Sequence, residues 1–93
     1  MPSKAEKLLK RMRVSKTGWK SKDLITLYLG FGFIISHGSN HDTVKHPDFL
    51  DVPTLRDTLP RHAEELAKGY INDAIKRIEL LQKLQEERGK ENE

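Results

Sequence analysis

The sequence predicts a small α+β domain in which helices cover one face of an antiparallel sheet. Two segments near the N-terminus and one at the C-terminus space their apolar residues as amphipathic helices do, and three short β-forming segments lie between them. The chain has 93 residues, which corresponds to one domain. Apolar residues make up 35% of it and charged residues 33%, a mixture that is too apolar for a chain disordered throughout.

The first predicted helix begins at about Lys4, because residues 3–6, Ser-Lys-Ala-Glu, have the spacing of a capping box. The sequence Val-Ser-Lys-Thr-Gly at 14–18 interrupts the helical pattern and ends it. One side of the helix carries the apolar residues Leu8, Leu9 and Met12. This stripe is expected to dock either on the domain itself or on a partner.

The second predicted helix has Ser21 as its N-cap and ends at two closely spaced glycines, Gly30 and Gly32. Its core-facing stripe consists of Leu24, Leu27 and Tyr28. Trp19, which comes just before the cap, is expected to pack against the start of this helix, and stacking on a nucleic-acid base is the alternative.

Three strands are predicted over residues 33–36, 41–46 and 54–59, and the short connections between them favour an antiparallel meander. The turn between the first two strands contains residues 37–40, and Pro60 is predicted to end the third strand. Within the second strand, alternation places Asp42, Val44 and His46 on one face and His41, Thr43 and Lys45 on the other.

The last helix is predicted to begin near Gly69. Its apolar stripe comprises Ile71, Ala74, Ile75, Ile78, Leu81 and Leu84. The charged sequence that follows has nothing to bury and is predicted to be disordered. The chain therefore divides into a basic N-terminal helical extension over residues 1–18, a domain over residues 19–85 and a charged tail over residues 86–93.

Positive charge is concentrated at the N-terminus. Residues 1–22 carry eight Lys or Arg and one Glu, a net charge of +7, whereas the whole chain has a net charge of +3. A block of this density suits a polyanion such as a nucleic-acid backbone. The alternative is a helix face that only confers solubility.

Several classes of protein are excluded. The chain has no cysteine, so it has neither disulfides nor a thiolate nucleophile. It has no apolar run of transmembrane length and no recognisable secretory signal, so a cytoplasmic location is expected. Neither a phosphate-binding glycine-rich loop nor a hydrolase nucleophile elbow is present.

Histidine is the residue type that could carry chemistry, since three of the four histidines lie between His37 and His46. His41 and His46 would point to opposite faces of a regular strand, so no metal site is predicted. An acid/base role is open instead, because an imidazole titrates near neutrality and can exchange protons with a 2′-hydroxyl or a 5′-oxygen of RNA. The other interpretation is that these are ordinary surface histidines beside turns.

Four short elements occur in a fixed order: Gly38-Ser39-Asn40-His41, Lys45-His46-Pro47, Leu59-Pro60-Arg61-His62 and Lys68-Gly69 at the start of an apolar helix. In this order they resemble the HicA family, the toxin halves of bacterial and archaeal toxin–antitoxin pairs. The resemblance extends over residues 4–81, because the N-terminal basic helix is similar to an extension seen in some members.

The resemblance implies a fold similar to double-stranded-RNA-binding domains, α-β-β-β-α, with an extra N-terminal helix. It implies an endoribonuclease that cleaves mRNA without a metal or other cofactor, with His41 matching the family's catalytic histidine. It also implies a protein partner, a HicB-like antitoxin that covers this histidine.

The remaining residues of the four elements are predicted to contact RNA. The turn of residues 38–40 would leave the catalytic histidine exposed, and Lys45 on the same strand face would bind a phosphate. Arg61 and His62 would approach the same edge of a meander, and Lys68 would form an anion site with the free N–H groups of the last helix. The predicted RNA-binding set is Gly38, Ser39, Asn40, Lys45, Arg61, His62 and Lys68.

Two other functions fit the same sequence. One is a non-catalytic RNA-binding module that uses the basic block, Lys45 and Arg61 for phosphate contacts. The other is an interaction protein whose N-terminal apolar stripe docks on another chain.

Overall fold

A computed structural model of the chain describes residues 3–61 and 65–91. Its helices are α1 (Lys4–Val14), α2 (Ser21–Gly30) and α3 (Lys68–Glu91), and its strands are β1 (Ile34–His37), β2 (His41–Lys45) and β3 (Asp57–Pro60). Two short 3₁₀ helices, Pro47–Phe49 and Pro53–Leu55, connect β2 to β3. The predicted α+β class and the predicted order of helices and strands are confirmed.

The three strands form one antiparallel sheet in the order β1-β2-β3, as the meander prediction requires. On the central strand Asp42 and Val44 are buried whereas His41 and Thr43 are exposed, so the predicted alternation is also correct. The helices therefore pack on the face that carries Val44. The opposite face presents His41 and Thr43 to solvent, together with Thr58 from β3.

The third strand begins later than predicted and includes the proline that was expected to end it. Pro53 starts a 3₁₀ helix, because its fixed φ suits the first position of a helix. Pro60 fits within β3 because this strand lies at an edge of the sheet. Every second N–H of an edge strand points away from the sheet, so a proline at such a position removes no hydrogen bond between strands.

Helix α1 belongs to the domain core. Leu9 and Met12 are buried in the same apolar cluster as Tyr28 and Val44. At the α1–α2 crossing, Gly30 lies against Ala5 so closely that a Cβ on the glycine would overlap the alanine side chain. The apolar stripe of α1 thus docks on its own domain, which corrects the interpretation that it docks on another chain.

The N-cap of α2 is Lys20, one residue before the predicted cap. The Asp23 carboxylate accepts a hydrogen bond from the Lys20 N–H at 2.8 Å, which closes the first turn. Ser21 is buried, and its hydroxyl donates to the Pro60 carbonyl at 2.6 Å. The Ser21 hydroxyl, which was predicted to cap α2, therefore makes a tertiary contact with the end of β3 instead.

Helix α3 is longer than predicted, since it continues to Glu91 through most of the segment expected to be disordered. Arg88 accounts for part of this extension. Its guanidinium lies 4.0 Å from the centre of the Phe49 ring and donates to the Asp48 carbonyl at 2.7 Å. No helix within residues 3–61 and 65–91 is both long and apolar enough to cross a membrane.

Candidate active site at the β1–β2 turn

The turn between β1 and β2 sets the position of the predicted catalytic histidine. The Gly38 N–H donates to the His41 carbonyl at 2.9 Å and closes a two-residue connection. A Cβ on Gly38 would lie 2.7 Å from that carbonyl oxygen, closer than any side chain tolerates, so the turn requires glycine. Ser39 and Asn40 form its exposed tip.

His41 is the first residue of β2 and lies opposite Pro60 of β3. It is exposed on the face of the sheet away from the helices, as predicted. Within the described ranges no side chain hydrogen-bonds to its imidazole. Among the described side chains, neither ring nitrogen thus has a hydrogen-bonding partner.

A second histidine at this end of the sheet is held by a buried carboxylate. His37 ends β1 and lies directly opposite Asp42 of β2. Its Nδ1 is 2.9 Å from the Asp42 Oδ1. The Asp42 side chain is only 6% exposed, whereas that of His37 is 63% exposed. A neutral imidazole that donates from Nδ1 to a carboxylate carries a free lone pair on Nε2, and here that nitrogen belongs to an exposed side chain.

Arg61 joins the turn to the same carboxylate. Its Nε lies 3.6 Å from the Asp42 Oδ1, and its terminal NH1 donates to the Gly38 carbonyl at 2.6 Å. Its backbone N–H donates to the Asn40 carbonyl at 3.2 Å. The prediction that Arg61 approaches this edge of the sheet is confirmed. Its guanidinium compensates the charge of the buried Asp42 carboxylate and, through the Gly38 carbonyl, stabilises the turn.

Sequence reasoning missed the pairing of His37 with Asp42, since it placed His37 in the turn and assigned Asp42 only to one face of the second strand. The signal that could have found it is the hairpin register. When Ser39 and Asn40 form the two-residue tip, the strand residues two positions before and after it, His37 and Asp42, lie opposite each other.

Lys45 lies at the other end of β2, opposite Ile34 of β1. Four residues of strand, about 13 Å, separate it from His41. The two side chains share the outer face, as predicted, but lie at opposite ends of the strand.

Two further residues of the four sequence elements, Lys68 and His46, belong to other parts of the fold. Lys68 is exposed and begins α3, and His62 lies outside the described residues. His46 is buried, and its ring packs between Phe33 and Phe49. Its Nδ1 accepts a hydrogen bond from the Asp48 N–H at 3.2 Å, so this histidine has a structural role.

The turn thus presents the His41 imidazole on the outer face of the sheet and carries the contacts of His37 and Arg61 with Asp42 on the other face. In the part of the chain that the structure describes, no three histidine, aspartate or glutamate side chains converge as metal ligands would. No protein-family model matches the sequence, and neither a curated protein nor a solved structure matches it.

Proposed function

We propose that this protein is a metal-independent endoribonuclease that cleaves mRNA in the manner of HicA-like toxins, with His41 as a general acid or base. The observation that carries the proposal is the exposure of His41 on the outer face of the sheet, directly after a turn that requires glycine. A fold similar to double-stranded-RNA-binding domains is part of the proposal, because helices on one sheet face and an open opposite face suit that architecture.

The chemistry needs two proton-transfer groups. A base takes the proton of a 2′-hydroxyl, the 2′-oxygen attacks the adjacent phosphorus, and the bond from phosphorus to the 5′-oxygen breaks. An acid protonates the departing 5′-oxygen, so the products are a 2′,3′-cyclic phosphate and a 5′-hydroxyl. The exposed imidazole of His41 supplies one of these two groups in the proposal. Water supplies the other.

Arg61 supports both the site and the reaction in this proposal. Its side chain is 39% exposed, so part of the guanidinium can donate to the non-bridging oxygens of a phosphate. Arg61 also offsets the negative charge of Asp42, which would otherwise repel the RNA backbone close to the site.

A HicB-like antitoxin that covers His41 is the regulatory partner we propose, in the cytoplasm where mRNA is available. The outer face of the sheet is the surface for such a partner, since it presents His41, Thr43 and Thr58 to solvent.

A non-catalytic RNA-binding module of the same fold is the second candidate function. Its support is the density of positive charge in α1 and in the loop that follows, away from the histidines. Such a module would bind RNA through phosphate contacts and leave the strand intact.

Incubation of a long mRNA with purified protein in EDTA tests the proposal. Wild type is expected to cut the RNA and leave 2′,3′-cyclic phosphate ends. His41→Ala is expected to lower the rate by roughly 100-fold or more, the usual contribution of a general acid or base. His37→Ala is expected to lower the rate less, because the His37 side chain pairs with Asp42 on the other face of the sheet.

Thr43→Ala is the matched control, since Thr43 is exposed on the same face of β2 and has no assigned role. It is expected to cut at the wild-type rate. Equal fragments from wild type and His41→Ala would refute a role for His41. Intact RNA in every lane, with RNA binding retained, would instead favour the binding module.

A further inference from the structure

A groove lies between the C-terminal half of α1 and the loop that follows it, with a volume of about 580 Å³, which is within the range of ligand sites. Its lining consists of Lys10, Arg11, Val14, Ser15, Thr17, Gly18 and Trp19. This lining combines an aromatic ring, two cations and small residues. Val14 is 85% exposed, so the rim of the groove is apolar and unprotected.

Trp19 is held in place on several sides. Its indole Nε1 donates to the Ser15 carbonyl at 2.7 Å, and its own carbonyl accepts from the Leu66 N–H at 2.8 Å. The side chain packs against the apolar core while remaining partly exposed. The ring is therefore held in one orientation, with the Arg11 guanidinium beside it.

The groove is strongly basic. Lys10 and Arg11 line it, and the Arg11 guanidinium lies 5.4 Å from the centre of the Trp19 ring. Because α1 turns Leu9 and Met12 towards the core, its cations face outward. The Glu65 carboxylate also lies beside the groove, where it accepts a hydrogen bond from the Gly18 N–H at 2.6 Å and so stabilises the loop.

We propose that this groove binds single-stranded RNA, with one base stacked on Trp19 and the adjacent phosphates held by Lys10 and Arg11. The inference rests on the proposed function, because it assigns the groove to the RNA that flanks the cleaved bond. Proteins that bind single strands combine a basic groove with an aromatic platform, since every base has a face that can stack. An acidic peptide would use the two cations but not the indole.

The groove is close enough to the candidate active site for one strand to reach both. Trp19 lies two residues before Ser21, whose hydroxyl bonds to the Pro60 carbonyl, and Pro60 pairs with His41. These links place Trp19 within about 20 Å of His41, given the length of extended chain and the spacing of strands. A strand of several nucleotides spans this distance.

Trp19 is the one tryptophan of the chain, so its fluorescence reports on this groove directly. The probe is an oligonucleotide of about eight nucleotides, within the usual site size of single-strand binders, with 2′-O-methyl groups that prevent cleavage. We expect saturable quenching of wild-type fluorescence. Labelled-probe anisotropy should show affinity lowered about 5- to 150-fold by Trp19→Leu, the loss of one stacked base.

Arg11→Ala is a second variant that tests the groove if Trp19→Leu does not fold. Arg11 is an exposed residue of α1, so its replacement is expected to leave the fold intact. It is expected to weaken quenching and binding together. Lys83→Ala removes an exposed cation from α3 instead, and this control should leave both unchanged.

Two results would overturn the inference. One is a probe that binds by anisotropy without changing Trp19 fluorescence, which would place the RNA elsewhere. The other is equal quenching by a poly-glutamate peptide at matched charge, which would make the groove a site for any polyanion. Since the probe cannot be cleaved, a protein that quenches normally but fails to cut mRNA would refute the ribonuclease and leave RNA binding in the groove intact.

Discussion

Tyr28, Asp57 and Arg77 form a polar cluster that joins α2, β3 and α3. The Tyr28 hydroxyl donates to the Asp57 carboxylate at 2.9 Å and accepts from Arg77 at 3.1 Å. Arg77 also lies 3.3 Å from Asp57. Burial, and after it the nearby Asp57 charge, raises the pKa of the Tyr28 phenol far above its usual value, although Arg77 opposes the shift. The native state therefore holds this tyrosine in its protonated form.

Tyr28→Phe tests this cluster through the pH dependence of stability. The raised pKa stabilises the fold fully below pH 10, where the tyrosine of the unfolded chain is also protonated. Above pH 10 the unfolded chain loses the proton and the native state does not, so stability falls by up to about 1.4 kcal/mol per pH unit.

Urea unfolding between pH 7 and pH 11 measures the effect, a range that brackets the usual tyrosine pKa of about 10. Tyr28→Phe is expected to lose about 1 kcal/mol at pH 7, the worth of a hydrogen bond, and to fall less steeply above pH 10. Tyr70→Phe, which removes the other tyrosine of the chain, is the matched control. Parallel curves for wild type and Tyr28→Phe would contradict the account.

The contact between α1 and α2 is the closest approach of two helices described above. Gly30 ends α2, and its backbone lies against Ala5 of α1. In an isolated helix, alanine is more stable than glycine by about 1 kcal/mol. At this crossing there is no space for a methyl group on residue 30. Replacing Gly30 by alanine would therefore improve helix propensity but create a steric overlap with Ala5.

Gly30→Ala is expected to destabilise the domain by about 1–3 kcal/mol, the usual cost of overpacking. Gly89→Ala is the matched control, because Gly89 lies within α3 and a Cβ there would meet nothing within 4 Å. It should stabilise the protein by up to about 1 kcal/mol. Chemical denaturation of both variants measures the difference, and a Gly30→Ala protein as stable as wild type would show that the helices can separate freely.

Charge is distributed unevenly over the whole molecule. The first 22 residues carry a net charge of +7 although the chain as a whole has only +3. Since the apolar side of α1 is buried in the domain, this charge is fixed to one region of a folded protein. Such a region attracts an RNA strand by releasing the counterions condensed on it.

Salt titration of RNA binding tests the role of this region. The logarithm of affinity for a single strand is expected to fall linearly with the logarithm of salt concentration, by about 0.7 per phosphate contacted. Replacing the exposed residues Lys4, Lys7 and Lys10 by glutamine should therefore reduce the slope by about 2. Lys83→Gln should leave it unchanged, and an unaltered slope in the triple variant would place the phosphate contacts elsewhere.

Local sequence patterns determined the elements of this protein and the faces of its central strand. The hydroxyl oxygen of Ser3, the N-cap of α1, accepts a hydrogen bond from the Glu6 N–H at 3.1 Å. The stripe of Leu24, Leu27 and Tyr28 is buried as predicted. The exposure of His41 also follows from alternation within β2. These features depend on residues within one or two turns of each other, so the sequence alone contains the necessary information.

The tertiary structure decided the features that depend on residues far apart in the chain. Asp42 meets His37 across the hairpin and Arg61 from beyond β3, so the turn that positions His41 is held by contacts on the other face of the sheet. The contact of Arg88 with Phe49 likewise accompanies the extension of α3 beyond its apolar stripe. Periodicity specifies which face a residue occupies, but only strand register and packing specify which side chain it meets there.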